Sequence, residues 1–290
     1  MRLAILGFGL IGGSVARAVR AGLPDSPFVG SISAWSPSGN GPASARADGV
    51  VDRVGTSLAD AVEGADLVVL AADPLACLDL LGALARLPPA VDPATITDVA
   101  STKAAIGQRA DALGLPFVGG HPLAGLETSG YRNSRADLFR GRPWVLCSGV
   151  ASRPIDLERA EALVAACGAE RTWLAPAEHD RAVAAISHLP LALSAALVES
   201  VGMAADWPLA QQLAAGGWQS ATRLARGDPG MGAGIAATNA PELARRLRAI
   251  QAQLADWLAD LEATPDDPVT TAARVRRRLD AARARLEMPR

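Results

Sequence analysis

Lysine is nearly absent from this 290-residue chain. Lys103 is the single one, and arginine makes up the rest of the 28 basic residues. Any mechanism that needs a lysine after position 103 is therefore excluded. Cysteine is equally scarce. Cys77, Cys147 and Cys167 are odd in number and far apart, which rules out a disulfide framework and a CxxC pair. No run of about 18 uncharged apolar residues occurs, so no membrane span is expected. The opening Met1-Arg2-Leu3-Ala4-Ile5-Leu6-Gly7 lacks the length and cleavage region of a signal peptide. Charge of one sign is also missing. The 28 basic residues face 30 acidic ones, a net charge of −2. The balance holds in both halves, so neither presents the basic surface that binds nucleic acid through its phosphates. Seven arginines do crowd the last 17 residues against two acids, which reads as a solvated helix face or a frayed tail. A soluble cytoplasmic protein is the expectation.

What remains is apolar and helix-prone. Half of the residues are hydrophobic, and 61 are alanine, a strong helix former. The length allows about two domains. Residues 1–176 alternate between strand and helix patterns. Leu3–Leu6 is a short apolar strand, followed by a helix over about Ile11–Ala21. Further strands are expected at Phe28–Trp35, Asp66–Ala71, Ala94–Val99, Phe117-Val118 before a Gly-Gly turn, Trp144–Cys147 and Glu170–Leu174, with a helix at Asp156–Cys167. This alternation predicts an α/β fold with a doubly wound, mostly parallel sheet. After Pro176 the strand patterns stop. Residues 178–205 are helical with an interruption at Pro190, and 227–234 read as a glycine-rich connector. Residues 242–262 set Leu243, Leu247, Ile250, Leu254, Leu258 and Leu261 on one helical stripe. The expected division is a first domain over 1–176 and an all-helical second domain over 177–290. Such a stripe in an all-helical half suggests a homodimer.

Gly7-Phe8-Gly9-Leu10-Ile11-Gly12 fits GxGxxG between a strand and a helix. Gly7 allows a tight turn, Gly9 lets the backbone approach a pyrophosphate, and Gly12 lets helix and strand pack closely. Leu10 and Ile11 open the helix, whose free N–H groups and positive end would face the phosphates. An Asp or Glu after the second strand would select NAD. Here Trp35-Ser36-Pro37-Ser38-Gly39-Asn40 has no acid, and Ser36 and Ser38 offer hydroxyls to a phosphate, so NADP is favoured over NAD.

Three histidines carry the remaining chemistry. His121, in Gly119-Gly120-His121-Pro122-Leu123-Ala124-Gly125, follows a strand, where the ligand crevice of such a sheet lies. An imidazole there suits removal of a hydroxyl proton as hydride leaves the same carbon. Ser101 and Lys103 follow another strand and should face the same crevice. Ser101 can contact substrate or nicotinamide, and Lys103 can lend charge or pair with Asp98. His179 and His188 lie nine residues apart, about 900° of helical rotation, hence on opposite faces. With no cysteine nearby, no catalytic metal is expected. His188 reads equally as core or site. Arg223 suits a carboxylate but reads first as a surface residue.

Together, Gly-Phe-Gly-Leu-Ile-Gly-Gly-Ser, Asp-Val-Ala-Ser-Thr-Lys, Gly-Gly-His-Pro-Leu-Ala-Gly and Ser-His-Leu-Pro resemble the prephenate/arogenate dehydrogenase family of tyrosine biosynthesis, over residues 1 to about 262. The resemblance implies a Rossmann-type domain followed by a helical dimerisation domain, and an oxidative decarboxylation that aromatises the substrate ring. It implies that His121 accepts the hydroxyl proton, Ser101 hydrogen-bonds that hydroxyl, Arg223 binds a carboxylate and His188 lines the pocket. Many prephenate-using relatives read Ser-His-Leu-Pro-His, but here Leu191 follows. Ser187–Leu197 looks more like the cyanobacterial arogenate-type enzymes, which favours arogenate. Glu127 would then neighbour its ammonium group. No appended regulatory or mutase domain is expected. Two rival readings remain. One is another dehydrogenase of the same two-domain build, which would need a Lys or Asn in the helical half. The other is a dinucleotide sensor without catalysis.

Overall fold

The computed structural model describes residues 1–288 except 23–27, 29, 89–94, 127 and 265. Eight strands form one sheet: β1 (Leu3–Leu6), β2 (Ile32–Trp35), β3 (Arg53–Val54), β4 (Leu67–Leu70), β5 (Ile96–Asp98), β6 (Phe117–Pro122), β7 (Pro143–Ser148) and β8 (Glu170–Trp173), in the order β3-β2-β1-β4-β5-β6-β7-β8. Every pairing is parallel except β6 with β7. Between the strands lie α1 (Leu10–Ala21), α2 (Asn40–Ala47), α3 (Leu58–Val62), α4 (Pro74–Leu84), α5 (Ala104–Ala112) and α6 (Pro154–Ala166).

The sheet is covered on both faces, which is why its central strands are continuously apolar. Side chains of β1 alternate between two cores. Leu3 and Ile5 join α1, α2 and α6 on one face, while Ala4 and Leu6 join α3, α4 and α5 on the other. The doubly wound architecture expected from the alternating pattern is therefore present. The three cysteines are reduced and buried, and burial pushes the Cys147 thiol up to about 12.

Every described element after β8 is helical: α7 (Pro176–Val183), a π-helical turn (Ala184–His188), α8 (Leu189–Gly202), α9 (Trp207–Leu213), α10 (Gly216–Ala221), a 3₁₀ turn (Arg223–Arg226), α11 (Pro229–Thr238), α12 (Ala240–Glu262) and α13 (Pro268–Leu286). The chain forms two compact units, Met1–Ala240 and Pro241–Arg290. Within the second unit, Asp260 pairs with Arg274 and Arg278, while Leu254, Leu258 and Leu261 of α12 are exposed.

Three local expectations are corrected. Gly119-Gly120 is not a turn, because β6 runs through both glycines to Pro122. They are glycine because the backbone is crowded there. A Cβ on Gly120 would lie 2.5 Å from the Asp98 carbonyl oxygen, and one on Gly119 would lie 3.1 Å from Lys103 Cδ. Pro190 does not interrupt the helix. It sits in the first turn of α8, after the wide π turn, and Pro176–Gly202 runs as one helix. By length and composition alone that helix is apolar enough to cross a membrane. Most of the supposed connector over 227–234 belongs to α11, because Asp228 caps that helix through Met231 N–H, and a Cβ on Gly234 would lie 3.3 Å from Pro74 Cδ.

Candidate active site

The carboxyl ends of β1, β4, β5 and β6 share one sheet edge. At β1, Gly7 adopts φ 89°, and a Cβ there would lie 2.3 Å from the Ala71 carbonyl oxygen. A Cβ on Gly12 would lie 2.5 Å from the Gly7 oxygen. Both positions are closed by the fold itself. Gly9 differs, since no atom lies within 4 Å of its would-be Cβ. It caps α1 without a side-chain hydrogen bond, so the first N–H groups of the helix, those of Leu10 and Ile11 included, lack a side-chain cap. An open cradle of backbone donors at a positive helix end fits a pyrophosphate. Gly9→Val is expected to weaken binding of a reduced nicotinamide dinucleotide at least about tenfold, equivalent to roughly 1.4 kcal/mol, without lowering Tm. Gly12→Val is expected to lower both. Fluorescence titration and thermal denaturation distinguish the two.

Beyond β2, Gly39 N–H bonds the Ser36 carbonyl at 3.1 Å to close the turn that carries partly buried Ser36 and exposed Ser38. This turn adjoins the cradle, because a Cβ on Gly41 would lie 2.2 Å from the Phe8 oxygen. The first acid after β2 is Asp48, which accepts from Arg17 at 3.0 Å and Tyr131 at 2.8 Å.

His121 lies near the end of β6. Its Nδ1 is 2.8 Å from His179 Nε2, and His179 Nδ1 is 2.8 Å from Asp180 Oδ1. The two rings meet edge to face at 5.1 Å. Burial, assisted by His179, Lys103 and His188, pushes His121 well below the ordinary imidazole range, which leaves it neutral and able to accept a proton. Burial opposes ionisation of Asp180. Hydrogen bonds from His179 and from the N–H groups of Ala104 (2.9 Å) and Lys103 (2.8 Å) outweigh it and hold the carboxyl below its usual range.

His188 is buried on the π turn. Its Nδ1 accepts from Asn239 Nδ2 at 3.1 Å, and the same amide reaches the Asp180 carbonyl at 2.8 Å. Burial lowers its pKa to about 4, with Asp180 and the Ser101 backbone opposing. The expectation that His179 and His188 face opposite ways is thus corrected. Ideal α rotation fails across the π turn, and both rings point into the same buried cluster. Among the described residues, no group of three or more His, Cys, Asp or Glu is arranged to hold a metal ion.

Ser101 is partly buried just beyond β5. Lys103 is buried and ion-paired with Asp98, the second of the two roles open to it. Asp98 Oδ1 also accepts from Gly120 N–H at 2.8 Å, which ties β5 to the strand bearing His121. Thr102 and Thr238 hydroxyls meet at 2.8 Å and bring α11 against the same edge. Arg223 is exposed at the start of a 3₁₀ turn that packs on α8. Glu127 lies outside the described residues. Sequence reasoning missed His179, Asp180 and Asn239. An adjacent His-Asp pair in the first turns of a helix, flanked by Glu178 and Arg181, was the available signal.

A doubly wound sheet with an open glycine cradle and a histidine at its carboxyl edge has the build of a dinucleotide-binding crevice. Residues 15–172 match the family described as prephenate dehydrogenase, nucleotide-binding domain, and 175–266 match its dimerization domain. The chain belongs to the prephenate dehydrogenase family. It is 32% identical over 232 residues to prephenate dehydrogenase of Bacillus subtilis, covering 78% of this chain and 61% of that protein. The fold is similar to that of A. aeolicus prephenate dehydrogenase in complex with hydroxyphenyl propionate and NAD+ (TM-score 0.84, 25% identity, 99% and 98% coverage). It is also similar to Synechocystis arogenate dehydrogenase (TM-score 0.74, 28% identity, 99% and 100% coverage).

Proposed function

We propose that this protein catalyses the oxidative decarboxylation of arogenate or prephenate with NADP or NAD, giving tyrosine or 4-hydroxyphenylpyruvate. The observation that carries the reading is the position of His121, a neutral imidazole at the same sheet edge as the Gly7–Gly12 cradle. A nicotinamide dinucleotide held at the Gly7–Gly12 cradle would supply the hydride acceptor for the ring carbon that bears the hydroxyl. His121 accepts the hydroxyl proton as that C–O bond gains double-bond character. Carbon dioxide leaves from the opposite ring carbon, and the electron pair of the broken C–C bond enters the ring. The oxygen then recovers its proton from His121, so the phenol forms with no net proton release.

Ser101 hydrogen-bonds the substrate hydroxyl or the nicotinamide amide, His188 lines the pocket, and Arg223 binds a carboxylate. Glu127 is assigned to the ammonium of arogenate. The acid-free Ser36–Ser38 turn supports NADP. The match to the dimerization domain, together with exposed Leu254, Leu258 and Leu261, supports a homodimer built through the helical segment 177–290, following a dinucleotide domain over 1–176. The location we assign is the cytoplasm.

The test is a rate assay with arogenate or prephenate and NADP or NAD, following reduced nicotinamide absorbance. Turnover is expected with at least one of the four pairs, fastest with NADP. Dinucleotide binding without turnover in any of them overturns the reading in favour of a different hydroxy acid or a sensor.

A further inference from the structure

We infer that His179 and Asp180 form a positioning chain that holds His121 in the tautomer whose Nε2 accepts the substrate's hydroxyl proton. The inference rests on the oxidative decarboxylation proposed above and adds two residues that the proposed mechanism does not otherwise use.

The hydrogen bonds assign the protons in sequence. An ionised carboxylate only accepts, so Asp180 Oδ1 accepts a hydrogen bond from His179 Nδ1–H at 2.8 Å. Neutral His179 then has a bare Nε2, which accepts from His121 Nδ1–H at 2.8 Å. With its proton on Nδ1, neutral His121 is left with a bare Nε2 on the opposite side of the ring. Reversing any one proton would place a hydrogen on that nitrogen and remove the base.

The surroundings fit this order. His179 and Asp180 are about 1% and 2% exposed, so no water competes for the chain. The charged and titratable groups around His121 are otherwise paired or neutral. Lys103 is bound to Asp98, and His188 is held by Asn239. Asp180 itself is anchored by the Lys103 and Ala104 N–H groups at the start of α5, which fixes the carboxylate in place. The chemistry does not require the chain to reach solvent. The proton on His121 is returned to the phenolic oxygen, so the cluster only has to stabilise an imidazolium briefly. Asp180, one ring away, supplies the opposing charge.

A purely structural role for Asp180 as the cap of α5 makes a different prediction, and Asp180→Asn separates the two. The amide carbonyl can still accept from α5, while its NH₂ turned toward His179 Nδ1 forces the opposite tautomer along the chain. The first measurement is ¹⁵N NMR of histidine-labelled protein, in which three imidazoles are present. His121 is expected with Nδ1 protonated and Nε2 bare in the unaltered protein, inverted in Asp180→Asn. Asp180→Asn is expected to lower kcat about 100-fold or more, with KM for the nicotinamide cofactor within about twofold. The acid limb of its kcat/KM profile should move to lower pH, because the imidazolium loses its carboxylate. His179→Gln, whose carbonyl accepts from His121 Nδ1–H, should retain far more activity than His179→Leu.

A protonated Nε2 on His121 in the unaltered protein overturns the inference. So does an unmoved acid limb in Asp180→Asn, or equal losses in His179→Gln and His179→Leu. The NMR measurement needs neither a variant nor a substrate. If the unaltered protein turns over none of the four substrate pairs, the reaction assignment fails while the proton order is still decided.

Discussion

Asn at position 121 is expected to lower turnover about 10²–10⁴-fold, the usual size of a general-base contribution. The amide fits the strand position and can still hydrogen-bond His179, but it has no lone pair basic enough to take the hydroxyl proton. Dinucleotide affinity should stay unchanged, because the Gly7–Gly12 cradle belongs to β1 and α1. Initial rates and a fluorescence titration of NADPH on the same preparation check both halves. Turnover within a few-fold of the unaltered protein would remove His121 from the mechanism. Equal losses in rate and cofactor affinity would point to a disrupted crevice. Adding Asp180→Asn to His121→Asn should cost little more, since a chain that acts through His121 has nothing left to position.

The second large effect is on stability. Lys103 and Asp98 are 1% and 0% exposed, and they form an ion pair between the start of α5 and the end of β5. Truncating Lys103 to Met strands a buried carboxylate, which costs about 3–5 kcal/mol. Burial already pushes Asp98 up, with Lys103 and hydrogen bonds from Gly120 and Ala100 opposing. Without Lys103 its folded pKa rises further above the unfolded value. The folded variant then binds more protons than the unfolded chain, so its deficit shrinks as pH falls. Adding Asp98→Asn should recover a large part of the loss, because the amide keeps a hydrogen-bonding acceptor and carries no charge. Denaturant unfolding of the three proteins at neutral pH and at pH 5 checks this. A Lys103→Met variant as stable as its parent would contradict a buried pair.

These effects fall on residues of unequal legibility. Gly7, Gly9 and Gly12 were readable because a phosphate cradle needs glycines at set intervals between a strand and a helix. His121 was readable because the carboxyl edge of a parallel sheet is where such a fold exposes chemistry. The role of Gly119 and Gly120 was not, since the same residues serve a turn or a crowded strand. Only the approach of Asp98 and Lys103 decides between these.

The apolar runs, the alternation of strand and helix and the glycine spacing are local patterns, and they sufficed for the doubly wound sheet and the place of its crevice. Distance along the chain conceals the rest. His121 and His179 stand 58 positions apart, and Asp180 reaches α5 across 76. Helical arithmetic alone turned His179 and His188 away from each other. The wide turn at Ala184–His188 changes that rotation, and nothing in the identity of those five residues announces it. That helix packs on α5 and meets His121 of β6 through His179, and these contacts fix the proton order around His121. That order is a property of contacts made across the fold, where no local pattern in the sequence can specify it.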